Sequence, residues 1–185
     1  KKGETWQFKH LIVPSMSNVR DGITTPALAP WLRHFKGLAN IKGIKPHRKI
    51  VVLRPGAVTR RIQNSDELLL NLKGWETVVL EKMSIREQIK TFAEASHVVA
   101  AHGAGLTNLL WCQPGTKVLE INQKSEIHKK VYPLLSHNLN LEHKLYLADV
   151  VPIPKENGKK PKGIKRFSDM IKFKINIPEI MEHLE

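Results

Sequence analysis

The chain has 185 residues, 41% of them hydrophobic and 25% charged, the balance of an ordinary globular domain with room for one substantial core. Thirty Lys and Arg against seventeen Asp and Glu give a formal charge of +13, which favours anionic partners: nucleotides, polyanionic sugars, nucleic acid or an acidic membrane. The single cysteine, Cys112, excludes an intrachain disulfide framework, no Asn-x-Ser/Thr sequon occurs, and no apolar run nears the roughly 20 residues that span a bilayer.

In chain order, short β-branched runs alternate with amphipathic stretches. Residues 8–13 read as a strand stopped by Pro14, and residues 28–38 place Leu28, Trp31, Leu32 and Phe35 on one helical face. Residues 49–53 predict a strand ended by Arg54-Pro55-Gly56. Asn64, with Ser65, Asp66 and Glu67, is a capping signal for a helix through Leu72 that Gly74 closes. Residues 76–80 predict a third strand. Ser84 and Glu87 then predict a capping box for a helix over 85–95, with Ile85, Ile89, Phe92 and Ala93 sharing a face. Apolar strands follow at 97–101 and 117–121, then a helix over about 126–137 and a strand at 144–147. Pro152, Pro154, Gly158, Pro161 and Gly163 mark a lysine-rich loop, after which a strand or extended piece at 171–177 and a helix at 178–184 end the pattern. Strands apolar on both faces and alternating with helices predict an α/β fold, a Rossmann-like doubly wound parallel sheet. Ligands of such sheets lie at the carboxyl ends of the strands, where Arg54, Glu81 and His102 fall.

The most informative segment is His102-Gly103-Ala104-Gly105-Leu106-Thr107-Asn108, directly after an apolar strand and before Trp111-Cys112-Gln113-Pro114-Gly115. It predicts a strand, a glycine turn and a short helix. Two glycines let the backbone approach a ligand, and the free N–H groups from Gly103 to Leu106 would aim at a phosphate.

An ordered series of motifs surrounds it. Arg54; Arg60-Arg61-Ile62 with Asn64 and Glu67; Val79-Leu80-Glu81 with Met83-Ser84 and Glu87-Gln88-Ile89; the glycine segment; and Pro114-Gly115 with Val118-Leu119-Glu120-Ile121 together resemble glycosyltransferase family 61, over about residues 49–122. The resemblance implies an inverting transferase of GT-B architecture that moves a sugar from a nucleoside-diphosphate donor, UDP foremost, to a glycan or polysaccharide acceptor. A GT-B enzyme has two Rossmann-like domains, and 185 residues accommodate only the second, donor-binding one with its flanks. Residues 1–150 are thus expected to form a nucleotide-sugar-binding domain, with 151–185 as a basic loop, strand and helix packed on it.

Each candidate residue has a chemical rationale. The leaving diphosphate gains negative charge, which the Gly103, Ala104, Gly105 and Leu106 amides would stabilise, with Thr107 and Asn108 as further donors, or with Asn108 fixing the loop. His102 would bond the phosphate or the sugar, or else a neighbouring carbonyl. Arg54, Arg60 and Arg61 present guanidinium forks suited to a diphosphate, and Glu120 stands where GT-B enzymes place an acidic residue that accepts the ribose hydroxyls. Inversion needs a general base, for which Asp21, His34 and Glu81 are the candidates unless the acceptor half supplies it. No Asp-x-Asp pair is present, in keeping with binding that needs neither metal nor cofactor, and His97 and His102 lack the spacing of a metal set.

Two other classes have partial signals in the sequence. A lipase-like hydrolase would need a Gly-x-Ser-x-Gly elbow, which the sequence lacks. A nucleic-acid or polyanion-binding module would rest on a basic arm of Lys155, Lys159, Lys160, Lys162, Lys165 and Arg166, without an aromatic recognition motif. The same arm suits an anionic membrane surface. A cytoplasmic location, peripheral to the membrane, is the simplest expectation; an anchor upstream of Lys1 would instead place the domain in the Golgi or ER lumen.

Overall fold

The computed structural model describes residues 30, 34, 36–37, 39–41, 43–57, 60–124, 130–153 and 171–184. The strand expected at 8–13, most of the helix expected at 28–38, Asp21 and the basic arm at 155–166 lie outside these. The described elements are β1 (Arg48–Val52), α1 (Ser65–Asn71), β2 (Glu76–Val78), α2 (Ile85–Ala93), β3 (Ala95–Ala101), β4 (Lys117–Gln123), α3 (Val131–Asn138), β5 (Glu142–Pro152), β6 (Ile171–Lys174) and α4 (Ile177–Leu184). Two 3-10 segments, Leu80–Lys82 and Ala104–Trp111, sit among them.

These elements build an α/β fold around one sheet of order β2-β1-β3-β4-β5-β6. The first five strands are parallel. Alternate residues of each central strand enter opposite cores, as parallel strands covered on both faces require. Ile50, Val98 and Val118 pack with Phe92 of α2, Leu135 of α3 and Leu106 and Leu109 of the second 3-10 segment. On the other face Val51, Val99 and Leu119 pack with Leu68 of α1 and with Phe173 and Ile180 of the C-terminal elements.

The local signals explain most element boundaries. The Ser84–Glu87 capping box is complete: Ser84 Oγ accepts the Glu87 N–H at 3.3 Å, and Glu87 accepts the Ser84 N–H at 2.7 Å. Gly74 follows α1 at φ +77, a left-handed turn that glycine adopts without steric cost.

Four expectations are corrected. β6 runs antiparallel, because β5 extends beyond its pairing with β4, which ends at Ala148, and its last four residues pair with Ile171–Lys174. The strand expected over 76–80 stops at Val78 and turns into the Leu80–Lys82 segment. Ile85 leaves the expected buried face of α2: at the first helical position it is 75% exposed, while Phe92 and Ala93 are sealed. The helix after the glycine turn winds as a 3-10 helix of eight residues, tighter than an α-helix. Its Gly105 lies so close to Leu80 that a Cβ there would meet Leu80 Cδ1 at 2.9 Å.

Candidate functional site

In the order β2-β1-β3-β4-β5 the chain steps outward from β1 to β2, then crosses back to β3 and continues the other way. Beyond the carboxyl ends of β1 and β3, at this reversal, the two loops part and leave a cleft. Its walls are Arg54, Pro55, Arg60 and Arg61 on one side and Gly103, Gly105 and Leu106 on the other, with Val52 and Ala100 beneath.

The arginines are held differently. Arg54 Nε pairs with Glu81 Oε1 at 3.4 Å in a half-exposed ion pair, and its Nη1 lies 3.8 Å from where a Gly103 side chain would begin. Arg60 adopts a left-handed conformation at φ +52, which costs a non-glycine residue about 1 kcal/mol or more. Arg61 donates from Nη1 to the Pro55 carbonyl at 3.3 Å. The Nε atoms of Arg60 and Arg61 are both buried and have no hydrogen-bond partner among the described residues. Unpaired buried donors are costly, and both of these belong to residues of the cleft wall.

The glycine turn supplies backbone rather than side chains. The Leu106 N–H is consumed by the Gly103 carbonyl at 2.9 Å, and the Leu106 side chain is in the core. Gly103, Ala104 and Gly105 precede that first turn bond, so their amides lie outside the helix's own ladder. Asn108 fixes the loop, donating to Gln88 Oε1 at 3.0 Å and to the Gly105 carbonyl at 3.3 Å. The exposed Thr107 hydrogen-bonds the Tyr132 hydroxyl.

His102, next to the cleft-lining Gly103, turns into the sheet. Its N–H donates to the Ile121 carbonyl at 2.8 Å, and its Nδ1 forms a very short contact with Glu120 Oε1. Glu120 Oε2 meets His143 Nε2 at 3.0 Å, and His143 Nδ1 meets Ser136 Oγ at 2.8 Å. Glu120 thus departs from its expected place at a ribose: its side chain is sealed inside the sheet and both its oxygens are taken by histidines. Burial pushes the Glu120 carboxyl up, and the hydrogen bonds from His102 and His143 more than reverse that, holding it below the usual carboxylate range. The His102 ring also packs edge-on against Tyr132 at 5.3 Å. Burial in turn holds the Tyr132 hydroxyl above its ordinary value, with the Arg60 charge a smaller opposing influence.

Of the base candidates, Glu81 stands beside the cleft paired with Arg54, His34 is an exposed helical residue, and Asp21 lies outside the described residues. Cys112 is fully buried, which pushes its thiol up to about 12 and removes it as a nucleophile. Among the described residues no group of three or more His, Cys, Asp or Glu could hold a metal ion, and no helix is long and apolar enough to cross a membrane.

Sequence reasoning missed His143, Ser136 and Tyr132. His143 pairs with Val118, two residues before Glu120 on the same face of the sheet, so only the β4–β5 register could have brought it to Glu120.

The cleft and its turn coincide with a known sequence pattern. The family model described as Glycosyltransferase 61 matches residues 6–119, which include every residue lining the cleft. The chain belongs to glycosyltransferase family 61. Within 150 residues it is 31% identical to the beta-1,2-xylosyltransferase RCN11 of Oryza sativa subsp. japonica, a match covering 74% of this chain and 26% of that protein. It is 28% identical over 110 residues to a beta-1,2-xylosyltransferase of Arabidopsis thaliana, covering 51% of this chain and 20% of that protein. This family 61 chain therefore spans about a quarter of the length of the relatives it matches.

Proposed function

We propose that this chain is the donor-binding half of a glycosyltransferase of GT-B architecture, and that the arginine cleft takes the diphosphate of a UDP-sugar. The observation that carries the reading is the pair of orphaned buried Nε–H groups of Arg60 and Arg61, in one cleft with Arg54 and the amides that open the glycine turn. A nucleoside diphosphate offers several acceptor oxygens and the negative charge that three guanidinium groups favour. During transfer more charge develops on the leaving diphosphate, so donors held in place before reaction stabilise the transition state more than the ground state.

In this reading the three arginines and the backbone do the work that a divalent cation does in other transferases, so donor binding is metal-independent. The acceptor is a glycan, the anomeric carbon is inverted, and the acceptor half supplies the general base, since Glu81 is engaged with Arg54. The names of the two relatives make a UDP-pentose the first donor to try.

A thermal-shift comparison of UDP, UDP-xylose, ADP, GDP and CMP tests the reading. A ligand at about 100 times its dissociation constant adds about 2.7 kcal/mol, or roughly 5–10 °C for a chain of this size. A selective UDP response that persists in EDTA and is lost in Arg60→Ala is the expected result. Indifference to all five ligands removes the proposal, and a response abolished by EDTA removes its metal-independent part.

A further inference from the structure

Behind the arginine cleft lies a linear chain of hydrogen bonds that a simple anion site does not require. It runs from Ser136 Oγ through His143 and Glu120 to His102 Nδ1. An ionised carboxylate can only accept, so both histidines donate to Glu120. His143 then carries its proton on Nε2 and accepts the Ser136 hydroxyl at Nδ1, while His102 carries its proton on Nδ1. The groups meet end to end instead of converging on one point, which is the arrangement of a relay and not of a metal set.

The relay ends beside the cleft, at a histidine that does not itself line it. The His102 side chain keeps 11% of its surface open while that of Glu120 keeps 1%, and Nε2 of His102 has no partner among the described residues. Its neighbour Gly103 lines the cleft, and the Tyr132 ring packed against it feels the Arg60 charge. A buried carboxylate is expensive unless fully paired, so its placement behind a partly open imidazole needs a reason that packing alone does not give. Glu120, Ser136 and His143 all lie past residue 119, where the family match ends.

We infer that Glu120, His143 and Ser136 are positioning residues that lock His102 with Nδ1 on the carboxylate, so that Nε2 meets the bound diphosphate and donates to it as an imidazolium. This rests on the reading of the cleft as a diphosphate site. With the anion in place the ring stands between two negative neighbours, Glu120 and phosphate, and each favours a second proton on the imidazole. Arg60 and Arg54 oppose it, Tyr132 stays uncharged, and His143 is separated from His102 by the carboxylate. Binding therefore takes up a proton, and affinity falls as pH rises.

The test is calorimetric titration of the whole chain with UDP between pH 7 and pH 9, where a phosphate with a second ionisation near about 6 is about nine-tenths charged at the lower end and fully charged above it. Buffers of different ionisation enthalpy report the protons exchanged. The wild-type chain should take up a proton and lose roughly tenfold in affinity across the range, as for one charge-assisted bond. Glu120→Gln and His102→Gln should each bind UDP more weakly at pH 7, with no proton uptake and a flat pH profile. If Glu120→Gln does not fold, His102→Gln and the free wild-type protein still decide the matter, since ¹⁵N spectra of the imidazoles must show the Nδ1–H tautomer at His102.

Binding of UDP without proton uptake, uptake unchanged in either variant, or an Nε2–H tautomer in the free protein would overturn the relay and leave the diphosphate reading standing. Failure of the wild-type chain to bind UDP, pyrophosphate or any nucleoside diphosphate overturns both.

Discussion

Asn64 and Ile175 are joined in both directions across the chain: Asn64 Nδ2 donates to the Ile175 carbonyl at 2.9 Å, and Asn64 Oδ1 accepts the Ile175 N–H at 3.1 Å. The side-chain amide acts as a peptide unit beside the end of β6. It is therefore unavailable as the helix cap that its place before α1 suggests, and α1 has no side-chain cap there. Asn64→Ala leaves two backbone groups unpaired and should cost about 1–3 kcal/mol, read from chemical denaturation. Asn64→Ser separates the two roles. Serine is as good a cap as asparagine but does not reproduce a two-way amide bond, so a serine variant with wild-type stability would refute this account.

Gly105 leaves no room for a side chain beside Leu80. Gly105→Ala should destabilise the fold by about 1 kcal/mol, the low end for overpacking, since the new methyl would meet the terminal Cδ1 of the half-buried Leu80 at 2.9 Å. Leu80→Ala removes the clash, so the double variant should lose less than the sum of the single ones. Strict additivity in a double-mutant cycle would place the cost elsewhere.

The pH dependence of stability follows from Glu120 and Glu76. Burial opposes ionisation at Glu120 and is outweighed by His102 and His143; at Glu76 the Arg48 hydrogen bond lowers the carboxyl directly. A carboxyl depressed in the folded state stabilises it above the unfolded value, about 4.3 for glutamate, and that contribution is lost as pH falls through the folded value. The urea midpoint should therefore decline on acidification below about pH 5, and Glu120→Gln should flatten part of the decline. An acid limb identical in wild type and variant would show that Glu120 carries none of it.

Arg54 and Glu81 form a half-exposed pair whose rupture costs little, about 0–1 kcal/mol. Arg54→Ala should weaken UDP binding roughly tenfold, as expected for loss of a charge-assisted bond. Glu81→Gln should strengthen binding by less than roughly fivefold, by freeing the guanidinium. Titrations at two salt concentrations check the pair, since both effects must shrink at high salt. A Glu81→Gln variant that binds UDP much more weakly would instead assign the carboxylate a direct part in holding the donor.

Much of this architecture is local information. The apolar runs at 49–53 and 97–101, the Ser84–Glu87 capping box and Gly74 after α1 all act within a few residues, and each appears in place to within a residue or two. The placement of Arg54 and His102 beyond strand ends was legible for the same reason, because Pro55-Gly56 and Gly103 stop these two runs locally.

The partners were not. That Glu120 faces two histidines and not a cleft follows from β4 lying between β3 and β5, with His143 opposite Val118. The diversion of Asn64 from cap to bridge depends on β6 returning antiparallel beside it. Periodicity and capping are short-range and survive in a linear reading; register, burial and hydrogen-bond partners are properties of segments brought together by packing. The sequence by itself thus determined most of the elements, the basic character and the place of the glycine turn, and only the tertiary structure decided which side chains stand behind that turn.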